Sequence, residues 1–449
     1  MQPRVDALEV RNNKMPAGIP YIIGNEAAER YSFYGMKSIL TIFFVSHLGM
    51  KAEESKVWYH LFVTATYFIP IAGALLSDIF WGKYKTIMWL SVVYCIGHFV
   101  LALFDTQVSG VFAGCLLIAI GAGGIKPCVS AHVGDQFDQS RAHLFEKAFT
   151  WFYLSINAGA VIAYITAPQL LDKAGPALAF GLPGLLMVIA TLVFYAGRNK
   201  FITIKPAGWQ VYKQELFSKK GAMLVLKLVP LYLFLAVFWS LYDQTGGAWV
   251  LQADSPLMDK HVNLGFVEFD FYPSQIGFLN PLMIVAMVPL FSIIIYPALG
   301  KITKLNYTRK IAIGFFIAFL SFALISWVQM RMDAGHTMSI LWQMLGYFIL
   351  TIAEIMISIT ALEFSYTQAP NSMKSFIMSF YLVAVAIGNF FTAMVNVFIA
   401  NPDGSSKLAG ASYFWFFTIL MVAAAVVFIF YAGTYKEQTF VQDEKNAVH

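Results

Sequence analysis

The chain has 449 residues, of which 59% are hydrophobic, 16% aromatic and 12% charged, against roughly 25% charged in an ordinary soluble domain. So little charge cannot cover a water-soluble surface, which excludes a soluble enzyme or binding module. The formal net charge of +5 is scattered over short connections with no basic stripe of the kind that tracks phosphates, so no nucleic-acid partner is expected.

A bilayer-spanning helix needs about 20 apolar residues. Twelve such segments run over 19–47, 57–79, 86–104, 110–131, 147–167, 177–197, 223–245, 274–298, 311–330, 340–363, 375–400 and 411–433. They predict an all-α integral membrane protein with lipid as its solvent. The polar first 18 residues lead straight into span 1, so no separable signal peptide is expected. Of the 30 Lys and Arg residues, 20 fall on the side of the N-terminus and 6 on the other, while Arg30, Lys37, Lys126 and Lys227 lie within spans. Cytoplasmic loops carry the basic excess, so both termini are expected in the cytoplasm of a cell with a plasma or bacterial inner membrane. The sequon at Asn306 then falls inside and stays unglycosylated.

The densest basic connection divides the spans six plus six. The expected organisation is a cytoplasmic segment 1–18, a first six-helix bundle 19–197, a cytoplasmic linker 198–222, a second bundle 223–433 and a cytoplasmic tail 434–449. Such halves suggest the parallel repeat of a major facilitator fold, with a midplane site between them. The turn from Asp78 through Gly82-Lys83-Tyr84-Lys85 agrees, although an ordinary snorkelling loop would look alike.

An ionisable residue at the centre of a span costs about 2.5 to 3.5 kcal/mol on insertion scales, so the exceptions point to function. Span 1 carries Glu26, Glu29 and Arg30 on one helical face. Span 4 carries Lys126 between Gly121-Ala122-Gly123-Gly124 and Pro127, span 7 ends at Asp243, and span 10 holds Glu354 and Glu363. Two deep cations, Arg30 and Lys126, thus face four carboxylates, and pairing leaves about two acids over. A buried carboxylate without a partner takes up a proton or awaits a cationic ligand. Both outcomes describe a proton-coupled carrier of something bearing an amine, and the two cations can receive a carboxylate. The blander reading is that Glu26 or Glu29 simply pairs with Arg30 to hold span 1 in place.

Cys95, Cys115 and Cys128 lie in apolar stretches without metal or disulfide spacing and are expected to be buried hydrophobes. His98 and His132 have no ligand neighbours and read as core or loop residues. By position, His60 beside Trp58 and Tyr59 fits an interfacial aromatic belt better than a proton sensor. No metal or phosphate-loop motif is found, and no cofactor is expected beyond the proton gradient.

Several motifs resemble the proton-dependent oligopeptide transporters of the major facilitator superfamily. The family's Glu-x-x-Glu-Arg-Phe-x-Tyr-Tyr-Gly is similar to the stretch Glu26 to Gly35, where Tyr31 and Phe33 exchange the aromatic types and leave out a hydroxyl expected at position 33. Gly124-Ile125-Lys126-Pro127 and Phe152 to Gly159 match further signatures. Tyr59-His60, Phe238 to Gln244 and Leu362 to Pro370 look like animal intestinal and renal members. The resemblance implies a proton-coupling role for His60, reversing the positional reading. It also makes Tyr381 stand where the family usually has a pocket tryptophan.

The activity implied by the resemblance is symport of di- and tripeptides, and of peptide-like drugs, with protons by alternating access. The expected substrate residues are Arg30, Tyr34, Tyr67, Lys126, Tyr153, Asn157, Trp239, Asn280, Glu354 and Tyr381. Within that set Glu354, helped by Asn157 and Asn280, takes the amine, and Arg30 with Lys126 takes the carboxylate. Glu26, Glu29, Arg30, His60, Lys126 and Asp243 are expected to couple protons, with uptake loosening acid pairs to Lys126 and Arg30. Rival readings are a carrier of nitrate or an amphipathic drug, a non-transporting peptide sensor, or a membrane-embedded enzyme. Glu354 opposite the cations counts against nitrate, and no nucleophile with its base stands within the spans.

Overall fold

The computed structural model describes residues 13–206, 208–210, 213, 219–263, 265, 268–368, 374–403 and 405–434. Most of the expected tail, parts of the 198–222 linker and residues 1–12 of the N-terminal segment lie outside them. The spans are Ile19–Ser46, Ala52–Trp81, Lys83–Leu103, Val108–Gly134, Phe145–Ala174, Pro176–Ala196, Lys219–Tyr242 with its continuation to Asp254, Gln275–Ile302, Tyr307–Asp333, Ile340–Ser365, Lys374–Ile399 and Ala411–Thr434. Eleven are apolar enough to cross a bilayer by composition; span 1 is the exception, because Glu26, Glu29, Arg30 and Lys37 interrupt it.

Two large apolar cores form, beside a small third cluster of Phe291, Ile355 and Met356. One is built by spans 1 to 6, from Ile19 to Phe194; the other by spans 7 to 12, from Leu228 to Phe428. Tyr67 on span 2 packs against both. Lipid is as apolar as these side chains, so close backbone approach rather than water exclusion must hold helices together. Small residues allow it: a Cβ built on Gly73 of span 2 would stand 2.5 Å from the Gly124 backbone of span 4. Span 4 is thereby brought against span 2 just before Lys126.

Several expectations need correction. Span 7 does not end at Asp243. The helix Lys219–Tyr242 passes through a tight turn, Asp243–Gly246, and resumes as Ala248–Asp254, which places Asp243 at a break inside a longer span. Span 2 begins at Ala52 and span 5 ends at Ala174, since helices continue past the hydrocarbon edge where polar residues meet headgroups. The all-α reading also omits two short pairings at one end of the bundle. Strand β1 (Met258–Asp259) pairs in parallel with β4 (Met338–Ser339), and β2 (His261–Asn263) pairs antiparallel with β3 (Glu268–Asp270).

The halves meet closely at that same end. Thr41 Oγ1 donates to Gly246 O at 2.6 Å, Gln275 Nε2 to Ile165 O at 2.9 Å, and Tyr272 Oη to Asp172 at 2.9 Å. The Lys56 ammonium lies 3.9 Å from the Tyr413 ring centroid. Among the described residues, hydrogen bonds and ion pairs between halves cluster there and in the layer just beneath.

Candidate functional site

Successive turns of span 1 bring Glu26, Arg30, Phe33, Lys37 and Thr41 along one side, following the 3.6-residue period. Arg30 Nε lies 2.6 Å from Glu26 Oε1 and 3.0 Å from Glu29 Oε2, and only the first contact is a hydrogen bond. Two buried carboxylates thus share one guanidinium, so the simple pairing of either acid with Arg30 is only half of the arrangement.

Lys126 on span 4 has no hydrogen-bond partner among the described residues. Its ammonium rests 3.9 Å from the Phe33 ring centroid and 4.5 Å from that of Tyr67, within Coulombic reach of Glu29 and Arg30. The aromatic exchange at 31 and 33 acquires a physical meaning here. Phe33 offers a ring face to the cation, while the Tyr31 hydroxyl turns away to Thr166 Oγ1 at 2.9 Å.

Across the interface, Glu354 stands on span 10 immediately before a wider π turn, Ile355–Ile359, an irregularity found often at functional positions. Asn280 of span 8 donates to Glu354 Oε2 at 2.5 Å and to Thr351 Oγ1 at 3.2 Å. Among the described residues Glu354 has no cationic partner. Asn157, expected to help it, instead donates to Tyr153 O at 2.8 Å within its own helix. Tyr34 lies within Coulombic reach of both Arg30 and Glu354, so it links the charged groups of the two halves. Tyr153 is 41% exposed, while Trp239 and Tyr381 are buried nearby on spans 7 and 11, Trp239 edge-on to Tyr242 at 5.0 Å. Tyr34, Tyr67, Lys126, Asn280 and Glu354 all keep accessible surface.

Beyond these groups is a buried polar layer of which the charge pattern marks only part. Lys37 Nζ lies 2.9 Å from Asp243 Oδ1. Asn389 of span 11 donates to Asp243 Oδ2 at 2.7 Å and to Val385 O at 3.0 Å. With both amide hydrogens committed, its Oδ1 faces His60 Nδ1 at 2.8 Å and can only accept, so His60 carries its proton on Nδ1. His60 and Asn389 are fully buried, which removes His60 from any interfacial belt. Asp243 therefore pairs with Lys37, not with Lys126 or Arg30 as expected, and among the described residues Lys37 joins Arg30 and Lys126 as a third deep cation. Lys37, seven residues past Arg30, sits two turns further along the same face; that spacing was the available signal. Asn389 carried none, being an uncharged residue in an apolar stretch.

His98 and His132 are buried core residues, His98 stacked on Tyr94 at 5.1 Å. Lys83 is bound to Asp135 at 2.6 Å, tying the turn after span 2 to the end of span 4. The three cysteines are free and buried. Among the described residues no His, Cys, Asp or Glu cluster could hold a metal ion.

Against known proteins, the profile of the POT family matches residues 84–220 and 209–416. Mouse solute carrier family 15 member 2 is 35% identical over 379 residues, covering 74% of this chain and 51% of the mouse protein. Peptide transporter family 1 of Drosophila melanogaster is 36% identical over 363 residues, 71% of this chain and 48% of the fly protein. The chain thus spans about half the length of these curated relatives. In three dimensions it superposes on the crystal structure of the POT family transporter PepTSo with a TM-score of 0.86 at 35% identity, covering 95% of this chain and 99% of that one.

Proposed function

The chain belongs to the POT family, with the twelve-span fold of a major facilitator transporter, and we propose that it carries di- and tripeptides into the cell together with protons by alternating access. One observation carries this reading. Two charges of opposite sign, Lys126 on span 4 and Glu354 on span 10, stand in opposite halves and form no ion pair among the described residues. A zwitterion supplies both counter-charges: its amine meets Glu354 and Asn280, and its carboxylate meets Lys126 with Arg30. Tyr34, Tyr67, Tyr153, Trp239 and Tyr381 give amphipathic walls that tolerate varied side chains. An anion such as nitrate would leave Glu354 unanswered.

The end that carries the 46–52 and 254–275 connections faces outside, both termini lie in the cytoplasm, and this conformation is closed outward. Lys37, Asp243, Asn389 and His60 form the barrier. Protonation of Asp243 removes the charge that holds Lys37, and a proton on His60 Nε2 makes the Asn389 bridge carry a cation. Protonation of the Glu26/Glu29 pair frees Arg30 for substrate. These sites interact, so their titration belongs to the set. No catalytic step is proposed.

Uptake of labelled dipeptide into proteoliposomes with an imposed inward proton gradient tests this reading. Accumulation above equilibrium, competed by unlabelled dipeptides and not by nitrate, is expected. Accumulation that ignores the gradient, peptide binding without uptake, or release of free labelled amino acid would overturn it.

A further inference from the structure

Phe33 is fully buried in the core of the first half, where no peptide reaches it. Its ring is fixed on two sides, edge-on to Tyr34 at 5.5 Å and stacked on Phe62 at 6.3 Å. The third contact is with a charge. The Lys126 ammonium stands 3.9 Å from the Phe33 ring centroid, and the Tyr67 ring lies 4.5 Å from the same nitrogen. That ammonium is itself enclosed and makes no hydrogen bond among the described residues.

An ammonium withdrawn from water is costly unless an opposite charge or hydrogen bonds answer it. An anion is at hand: Glu29 lies within Coulombic reach of Lys126, one turn before Phe33 on the same face of span 1. Yet Glu29 contacts Arg30, at 3.0 Å, and forms no ion pair with Lys126 among the described residues. A flexible lysine side chain with no hydrogen bond to give up needs something to keep it from swinging to that acid. The negative ring faces supply the hold, which is strongest where water is excluded. An aliphatic side chain of similar volume would fill the space without attracting the cation. Lys37 shows the other arrangement: it lies 5.9 Å from the Tyr59 ring centroid, and Asp243 answers its charge at 2.9 Å.

We propose that Phe33 is a positioning residue for Lys126: its ring face holds the ammonium away from Glu29 and so keeps it free for the carboxylate of a peptide. This role rests on Lys126 being the group that receives that carboxylate. Tyr67 packs against the cores of both halves and is the wall of the cage that shifts when the halves rock. Phe33 belongs to the first core alone, as do the core residues of span 4, and stays beside the cation. Phe33 thereby sets a specificity, the preference for a free C-terminal carboxylate over its amide, without touching the substrate.

Proteoliposomes holding the full chain and loaded with unlabelled dialanine exchange it for labelled dialanine outside. Inhibition of that exchange by external dialanine and by dialanine amide gives two inhibition constants, and their ratio is the readout. Both inhibitors meet the same folded molecules, so a smaller folded fraction leaves the ratio unmoved. The parent should prefer the carboxylate about tenfold or more, and Lys126→Ala should lose that preference. Phe33→Leu should lower it roughly threefold to tenfold. Replacing Phe33 by mono-, di- and trifluorophenylalanine drains negative charge from the ring face with little change of shape, and should lower the ratio stepwise at an unchanged melting temperature. If Lys126→Ala keeps the preference of the parent, the carboxylate site itself is overturned and the role of Phe33 with it. If Lys126→Ala loses the preference while Phe33→Leu and the fluorinated series keep it, the positioning role alone is overturned.

Discussion

Lys37 and Lys126 are both lysines inside bilayer-spanning helices, yet Lys37 is held at 2.9 Å by Asp243, while Lys126 rests on the ring faces of Phe33 and Tyr67 with no hydrogen-bond partner among the described residues. The same contrast divides the acids. Asp243 is 3% exposed and accepts from Lys37 and Asn389, whereas Glu354 keeps accessible surface and has an amide in place of a cation. Breaking a buried pair leaves an uncompensated charge, at a cost of about 3 to 5 kcal/mol, so the paired layer resists opening. The unpaired charges lower stability, which evolution tolerates where a ligand supplies the counter-charge. Along span 1 these two regimes are separated by four residues, Phe33 beneath Lys126 to Lys37, about 6 Å of helix.

The largest effect is expected at the unpaired cation. Lys126→Ala removes the charge proposed to receive the peptide carboxylate, one that lies within reach of Glu29. Gradient-driven dipeptide uptake in proteoliposomes should fall to the level of empty liposomes while exchange of labelled against unlabelled peptide persists. Concentrative uptake at parental rates would remove Lys126 from coupling.

Next comes the barrier. Asp243→Ala strands Lys37 and should destabilise the proposed outward-closed state by about 3 to 5 kcal/mol, read as a lower melting temperature and as labelling, by a reagent added outside, of a cysteine placed at the buried Thr41. The double variant Lys37→Met/Asp243→Leu should recover most of the lost melting temperature, because an apolar pair of similar volume is often neutral or better. A double variant as unstable as Asp243→Ala would mean that shape, not charge pairing, holds the layer. Glu354→Gln keeps the contact with Asn280 and loses the charge. Hydrogen bonds to charged groups contribute about 1.5 to 3 kcal/mol, so dipeptide affinity should weaken roughly tenfold to a hundredfold. Undiminished affinity would take the amine away from Glu354.

Much of this was legible in the sequence because the signals were large. Twelve apolar runs dictate the spans, and Glu26, Glu29, Arg30, Lys126 and Glu354 stand out as costly exceptions in them. What stayed hidden depends on neighbours from other helices. The Lys37 partner lies 206 residues away, and only packing of span 1 against the broken span 7 brings them together. Asn389 links His60 to Asp243 through an amide that no charge pattern marks. Asn157 and Asn280 looked equivalent; helix orientation sends one to its own backbone and the other to Glu354.

The smallest effect tests whether burial is what separates a strong pair from a weak one. His261 and Asp270 face each other in the register of the β2–β3 hairpin, with Nδ1 and Oδ1 2.9 Å apart, a geometry as good as that of Lys37 and Asp243. Both residues are exposed to water. The hydrogen bond to Asp270 raises the imidazole above its ordinary value, about 6.5. A folded-state value that is raised stabilises the hairpin fully at pH below that ordinary value, and the contribution is lost as pH rises through the raised one. Amide exchange across 261–270, corrected for intrinsic rates, should therefore be slower at pH 5.5 than at pH 8.5, and His261→Gln should abolish the difference. Water screens such a pair, so the change should be less than about twofold. A change as large as that at Asp243 would show that geometry alone sets the strength of these pairs, and the account of the barrier as a buried latch would fail with it.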